Sequence, residues 1–218
     1  MEYDHEIMKR IVVIEREFGA GAGAIADKVA RRLGWKLLDH ALTEEIAKMA
    51  KISTETCQQR QERVDPWLYR LAKVFWRGSH ERSVSLPDAD IVDTDRLVCL
   101  TKQVVEQEAE AGQCVIVGRA AAYFLRERAD TFCVFLYAPR DFKYQRILAE
   151  VKNEAKARHL LDTVDEERKD FIRHYHNVEW PSRHLYHAML NTAEGEDATV
   201  DAILSQIEAA DKREEMAK

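Results

Sequence analysis

Three glycines alternate with alanines in Gly19-Ala20-Gly21-Ala22-Gly23-Ala24, shortly after the apolar run Ile11-Val12-Val13-Ile14. Ile25, Val29 and Leu33 then recur at helical spacing, with Ala26 and Ala30 beside them. A strand, a turn of small residues and a helix start together present backbone N–H groups to an anion. Glycine permits left-handed backbone and close approach of a ligand, and the helix dipole favours negative charge at that end. The chemistry such a turn suits is phosphate or nucleotide binding, through the amides of Gly19, Ala20, Gly21, Ala22, Gly23, Ala24 and Ile25. The plainer alternative is a tight turn that lets the helix pack close to the sheet. No Lys follows the last glycine, where a kinase phosphate loop normally carries one.

Charged residues at strand ends supply the remaining candidates. Arg16 lies just upstream of the glycines and can serve as the missing cation. Arg119 directly follows the apolar run Cys114-Val115-Ile116-Val117, which puts it at the carboxyl edge of a sheet, where ligands bind in open α/β folds. Its planar fork suits a monophosphate, or a neighbouring acid at the sheet rim. Asp39 ends the segment Trp35–Asp39 at the same edge and fits a substrate hydroxyl, a water-held Mg²⁺ or a helix cap. Lys143 and Arg146 are three apart on one helical face, and Arg158 and Arg168 follow in a charged helical segment. Cations on such a segment can close over phosphates and exclude water. Acids nearly balance bases there, so most of these charges form a solvated surface. His159, His174, His176, His184 and His187 fall late in the chain, but no Cys lies near them and their spacing matches no zinc helix. Trp180, Tyr175 and Tyr186 read as a packing cluster at the base of that segment, with nucleobase stacking as the alternative.

The elements that must hold these residues alternate strand and helix. Strands are expected at 11–14, 35–39, 114–117, 131–138 and 189–191, and helices at 23–33, from about Thr43 to Lys51, about 93–111, 120–128, from Pro139, through 150–185, and over 198–216. That alternation predicts a mostly parallel sheet. Residues 52–92 read as an insertion with a helix starting at Asp65-Pro66, whose Trp67 and Trp76 suit a dimer face or a cover for the acceptor. The 218 residues suit one domain with that insertion and a lid-like segment over 150–185. The net charge of −6 argues against a general nucleic-acid binder. No apolar run reaches the roughly 20 residues of a membrane span. Cys57, Cys99, Cys114 and Cys133 form no close pair, and the polar N-terminus lacks signal-peptide character, so a cytoplasmic protein with reduced thiols is expected.

Several blocks, taken in order, resemble the cytidylate kinase-like family of P-loop nucleoside-monophosphate-kinase folds. They are Arg16-Glu17-Phe18-Gly19-Ala20-Gly21-Ala22, Leu38-Asp39-His40, Val115-Ile116-Val117-Gly118-Arg119, Val134 to Pro139 followed by Lys143 and Arg146, Asp165-Glu166-Glu167-Arg168, and Leu190-Asn191-Thr192. The resemblance implies a three-layer α/β fold, a parallel sheet flanked by helices, with a helical insertion and a helical lid. It implies a small-molecule kinase using ATP and Mg²⁺, with a nucleoside monophosphate such as CMP or dCMP, or another small hydroxylated metabolite, as acceptor. In that reading the amides of 19–25 and Arg16 bind the ATP phosphates, Arg119 holds the acceptor and Asp39 orients it. Arg146 and Arg168 close over the transferred group, with Lys143 and Arg158 beside the substrate. Gly23, Ala20 and Ala22 depart from the family pattern, which usually has a basic residue, a Ser and a second consecutive Gly there. The loop thereby loses a cation and a hydroxyl that would help hold Mg²⁺.

Two other functions compete. A nucleotide-binding protein that no longer transfers phosphate would follow from the absent Lys. An NAD-binding oxidoreductase would follow from Gly19-x-Gly21-x-x-Ala24 with Asp39 placed 20 residues after Gly19. Against the latter, four residues from Glu15 to Phe18 separate the expected strand from the first glycine.

Overall fold

Ile11 to Arg16 form the central strand β1 because every side chain in it is buried, including Glu15 and Arg16. The computed structural model describes residues 9–39 and 94–216. In chain order the elements are β1 (Ile11–Arg16), α1 (Ala22–Leu33), β2 (Lys36–Leu38), α2 (Thr94–Ala111), β3 (Cys114–Val117), α3 (Ala121–Phe124), β4 (Thr131–Tyr137), α4 (Arg140–Val151), α5 (Glu154–His176), β5 (Ala188–Asn191) and α6 (Glu196–Met216). The five strands lie in the order β2-β3-β1-β4-β5, and every pairing is parallel. A parallel sheet requires cover on both faces, and the alternation of side chains along β1 supplies two cores. Ile11 and Val13 join one apolar cluster with α2, α3 and the end of α5; Val12 and Ile14 join another with α1 and α6. A third, smaller cluster gathers Phe18, Ile147, Ala157, Leu161 and Val164 between α4 and α5.

The local reasons for these boundaries are mostly visible. Gly34 adopts φ 69° and its N–H returns to the carbonyls of α1's last turn, so α1 stops there. Asn153 caps α5, its side chain accepting from the Lys156 N–H at 2.9 Å. The thiols of Cys114 and Cys133 are buried in β3 and β4, and burial pushes the former up to about 11 and the latter to about 12.

Three expectations are corrected. β1 runs two residues beyond Ile14, because Glu15 and Arg16 pair with Phe135 and Leu136 of β4. The helix expected over 120–128 is the single turn Ala121–Phe124, since the chain must reverse into β4 and Arg128 N–H closes a turn on Leu125 C=O at 3.0 Å. The segment 150–185 is divided at Lys152, in a left-handed conformation, before α5 begins. The helices expected near Thr43 and at Asp65-Pro66, and the insertion 52–92, lie outside the described residues.

Candidate nucleotide and acceptor site

The glycine turn that the sequence places after β1 sits at the carboxyl edge of the sheet. Gly19 (φ +84°) and Gly21 (φ +76°) are left-handed, a conformation that side chains resist. Each also makes room for a neighbour. A Cβ at Gly19 would come within 3.1 Å of Ile147 and of Lys143 Cβ, and one at Gly21 within 2.7 Å of the Arg146 guanidinium. Gly21 is the N-cap of α1, with no side-chain cap and no acidic residue in the first turn. The amides of Ala22, Gly23 and Ala24 therefore begin a helix with neither an intrahelical acceptor nor a capping carboxylate. The methyls of Ala20 and Ala22 are buried in the apolar cluster beneath, 1% and 2% exposed. What this loop offers a ligand is backbone.

Arg146 brings a cation to this loop. It reaches from α4 to lie against Gly21, with both terminal nitrogens 3.3 Å from Glu196 Oε1 at the start of α6. Glu196 is shared with Lys28 at 3.2 Å. The Arg146 side chain is 35% exposed, so it can exchange that partner for a ligand.

Arg16 does not lie over this loop. Its guanidinium rests on the turn after β3, where a Cβ at Gly118 would overlap Nη1. That turn places Gly118, Arg119 and Ala120 in succession at φ 66°, 60° and 55°. Arg16, Arg119 and Asp39 are all buried, at 8%, 5% and 4% exposure. Burial pulls both arginines down to about 10. For Arg16 the next cause is Arg168, and for Arg119 it is Arg16; Asp39 opposes the shift in each. Buried guanidiniums that repel one another and share a carboxylate form a pre-charged site for an anion.

Arg168 and Lys143 are engaged in holding the loop. Arg168 Nη1 donates to Arg16 C=O at 2.8 Å and to Asp165 Oδ1 at 2.6 Å, with its guanidinium 5.5 Å from the Trp180 ring centroid. Lys143 pairs with Glu17 at 2.7 Å. Arg158 stands apart on the outer surface, paired with Glu154 at 3.7 Å and lying over Tyr144. Trp180 and Tyr186 pack on Phe135 in the core, as the packing reading expects. The late histidines gather no metal: among the described residues no group of three or more His, Cys, Asp or Glu could hold one. His187 Nδ1 instead accepts the Cys133 N–H at 2.9 Å, and His176 stacks on Tyr123.

Four acids have no role in the reading of the sequence. Glu17, Asp165 and Glu196 hold the cations just described. Glu15 lies inside β1, where burial raises its pKa against the pull of Arg16, Arg168 and the Ala122 amide. A Glu directly after the apolar run 11–14 was a usable signal, and Asp165 stood in a block already noted. Nothing local marks Glu196.

The dinucleotide alternative fails on topology. The extension of β1 leaves only Glu17 and Phe18 before Gly19, which removes the spacing argument against it. A dinucleotide fold, however, sets β1 beside β2; here β1 lies between β3 and β4, and β2 is at the edge among the described strands.

Comparisons with known proteins agree with that topology. No curated protein matches the chain. A solved structure of an uncharacterized protein from Eubacterium ventriosum superposes with a TM-score of 0.65 at 20% identity, covering 91% of this chain and 98% of its own. A gluconokinase from Sinorhizobium meliloti superposes with a TM-score of 0.57 at 16% identity, covering 98% and 99%. Both likenesses establish the fold, a P-loop kinase-like one. The family model of the cytidylate kinase-like family matches residues 11–194, and the chain belongs to that family.

Proposed function

We propose that this protein is a small-molecule kinase that transfers the terminal phosphoryl group of ATP to a small anionic acceptor, a nucleoside monophosphate of the CMP or dCMP type being the first candidate. Phosphoryl transfer asks a protein for positioning and positive charge more than for covalent chemistry. The observation that carries the reading is the Arg146 guanidinium poised at Gly21, beside an uncapped helix start. The amides of Gly21 to Ala24 and Arg146 would hold the ATP phosphates. Arg16 and Arg119 would hold the anionic group of the acceptor, and Asp39 would orient it. Lys143 and Arg168 would act through the loop, and Arg158 has no part in this assignment.

The loop residues fit a polyphosphate, because the first turn of α1 has no side-chain cap and no carboxylate to compete for its amides. Mg²⁺, when bound, neutralises charge between phosphates. Ala20 offers it no hydroxyl, so among the described residues at this edge Asp39 is the acid best suited to hold it, through water. Among the described residues no helix is long and apolar enough to cross a membrane. The free thiols of Cys99, Cys114 and Cys133 suit a reducing, cytoplasmic setting.

A second reading has one observation in its favour. With no Lys at Gly23 and Arg146 already engaged by Glu196, the loop could bind nucleotide without turning it over. A coupled assay of ADP release, run with CMP, dCMP, other nucleoside monophosphates and small hydroxylated acids, separates the two. Acceptor-dependent ADP release abolished by Arg119→Met supports the kinase. ATP binding with no turnover on any acceptor supports the second reading, and absence of ATP binding refutes both.

A further inference from the structure

We infer that Asp165 and Arg168 are positioning residues that clamp the phosphate loop to the α4–α5 arm, so that the arm sets the geometry of the loop without itself touching nucleotide. The inference rests on the kinase reading of the site.

Three consecutive loop residues are gripped by the arm. The Phe18 N–H donates to both oxygens of Asp165, at 2.9 and 3.1 Å. The Arg16 carbonyl accepts from Arg168 at 2.8 Å. Glu17 between them takes Lys143 at 2.7 Å and, at 3.4 Å, the Ala138 N–H. Asp165 and Arg168 are joined at 2.6 Å, and Lys143 lies 4.0 Å from Asp165, so the three side chains act as one network. The Phe18 ring fills the apolar gap between α4 and α5 made by Ile147, Ala157, Leu161 and Val164.

Backbone-directed contacts of this kind carry a specific consequence. The Arg16 carbonyl and the Phe18 amide belong to the peptides leading from the end of β1 to Gly19. Where they are held decides where the amides of 21–24 face. Both side chains are largely buried, 11% exposed for Arg168 and 19% for Asp165. Their bonds are therefore little screened by solvent, and losing one member strands its partner. With Nη1 on the Arg16 carbonyl and on Asp165, Arg168 is held against the loop. The arm is thus bolted to the loop from the outset, and the closing role expected for Arg168 is replaced by a supporting one.

The test uses the full-length protein with Mg·ATP as probe. Four variants are compared: Asp165→Asn, Arg168→Gln, the double variant, and Val105→Ala, a core truncation in α2 chosen to lower the melting temperature without removing any clamp contact. Each single clamp variant should weaken Mg·ATP binding about tenfold, the scale of effect of small misplacements in a preorganised site. The double variant should lose no more than the worse single one, because both act on the same backbone. Hydrogen exchange over residues 16–20 should accelerate in the clamp variants and stay at the wild-type rate in Val105→Ala. Clamp variants that bind Mg·ATP as the wild type does would overturn the inference. So would a Val105→Ala protein that loses affinity in step with its melting temperature. Failure of the wild type to bind Mg·ATP refutes the kinase reading instead, and the exchange rates still decide whether the clamp exists.

Discussion

Two strand-to-helix turns leave the carboxyl edge of the sheet from neighbouring strands, one after β1 and one after β3. Both run through left-handed residues, Gly19 and Gly21 in the first and Gly118, Arg119 and Ala120 in the second. Both open onto a helix. The helix after β1 lasts 12 residues and begins without an acid or a side-chain cap. The helix after β3 lasts 4 residues, and its Ala122 amide faces the buried carboxylate of Glu15. One turn therefore leaves its first amides without a side-chain cap, and the Arg146 guanidinium lies against it. The other spends its amide on an internal acid and presents a side chain, Arg119, in their place. A glycine turn before a helix does not by itself make an anion site; which charges the rest of the fold brings to it decides.

The comparison can be broken or sharpened in several ways. The largest effect is expected at the second turn. Gly118→Ala forces a side chain into left-handed backbone and into the Arg16 guanidinium. It should cost about 2–4 kcal/mol in urea unfolding.

The buried acid and its neighbours should report themselves through pH. His176, stacked on Tyr123, is held down to about 4 from an ordinary 6.5, chiefly by burial and next by Arg126. Its neutral form is favoured in the fold, so its contribution is complete above pH 6.5 and is lost as pH falls toward 4. The loss is at most about 3–4 kcal/mol, and His176→Phe should abolish it while keeping the stack. Glu15 has the opposite sign. Its raised pKa means that stability falls as pH rises above 4.5. Glu15→Gln should therefore raise the melting temperature at pH 7, with the gain fading below that ordinary value.

At the open turn, Arg146→Ala should weaken ATP binding about 10–100-fold, the worth of a charge-assisted contact. Its stability should change by less than about 1 kcal/mol, since the pair with Glu196 is partly exposed. Closing that turn deliberately sharpens the contrast further. Ala24→Glu puts a carboxylate in α1's first turn, which should stabilise the helix by about 0.3–1 kcal/mol while repelling ATP in a binding titration. The smallest effect belongs to Arg158→Ala, within about 0.5 kcal/mol in stability and without change in ATP affinity, because that side chain is 68% exposed and, among the described residues, engages Glu154 and Tyr144 on the outer surface.

How far the sequence disclosed all this depended on whether the cause was local. The parallel sheet was legible because Cys114–Val117 and Phe132–Leu136 are continuous apolar runs, the mark of strands covered on both faces. The stop at Gly34 and the phosphate loop were legible because glycine marks left-handed backbone. Arg119 and Asp39 were legible because a charge at a strand end is brought to the sheet edge by topology alone. The directions of long side chains were not. Arg16 adjoins the glycines in sequence, yet it reaches across to the β3 turn, while Arg146, 125 residues beyond Gly21, lies on the loop. Arg168 has the sequence character of a lid cation, but its partners are a carbonyl and an acid that only tertiary packing supplies. Glu196 was invisible for the same reason.

The most direct test of the central claim is an amide-resolved NMR titration of the protein with Mg·ATP. The account predicts saturable shifts concentrated at Gly21, Ala22, Gly23 and Ala24, lost in Arg146→Ala and Ala24→Glu. Shifts confined to other segments, or none at the start of α1 while ATP demonstrably binds, would contradict it.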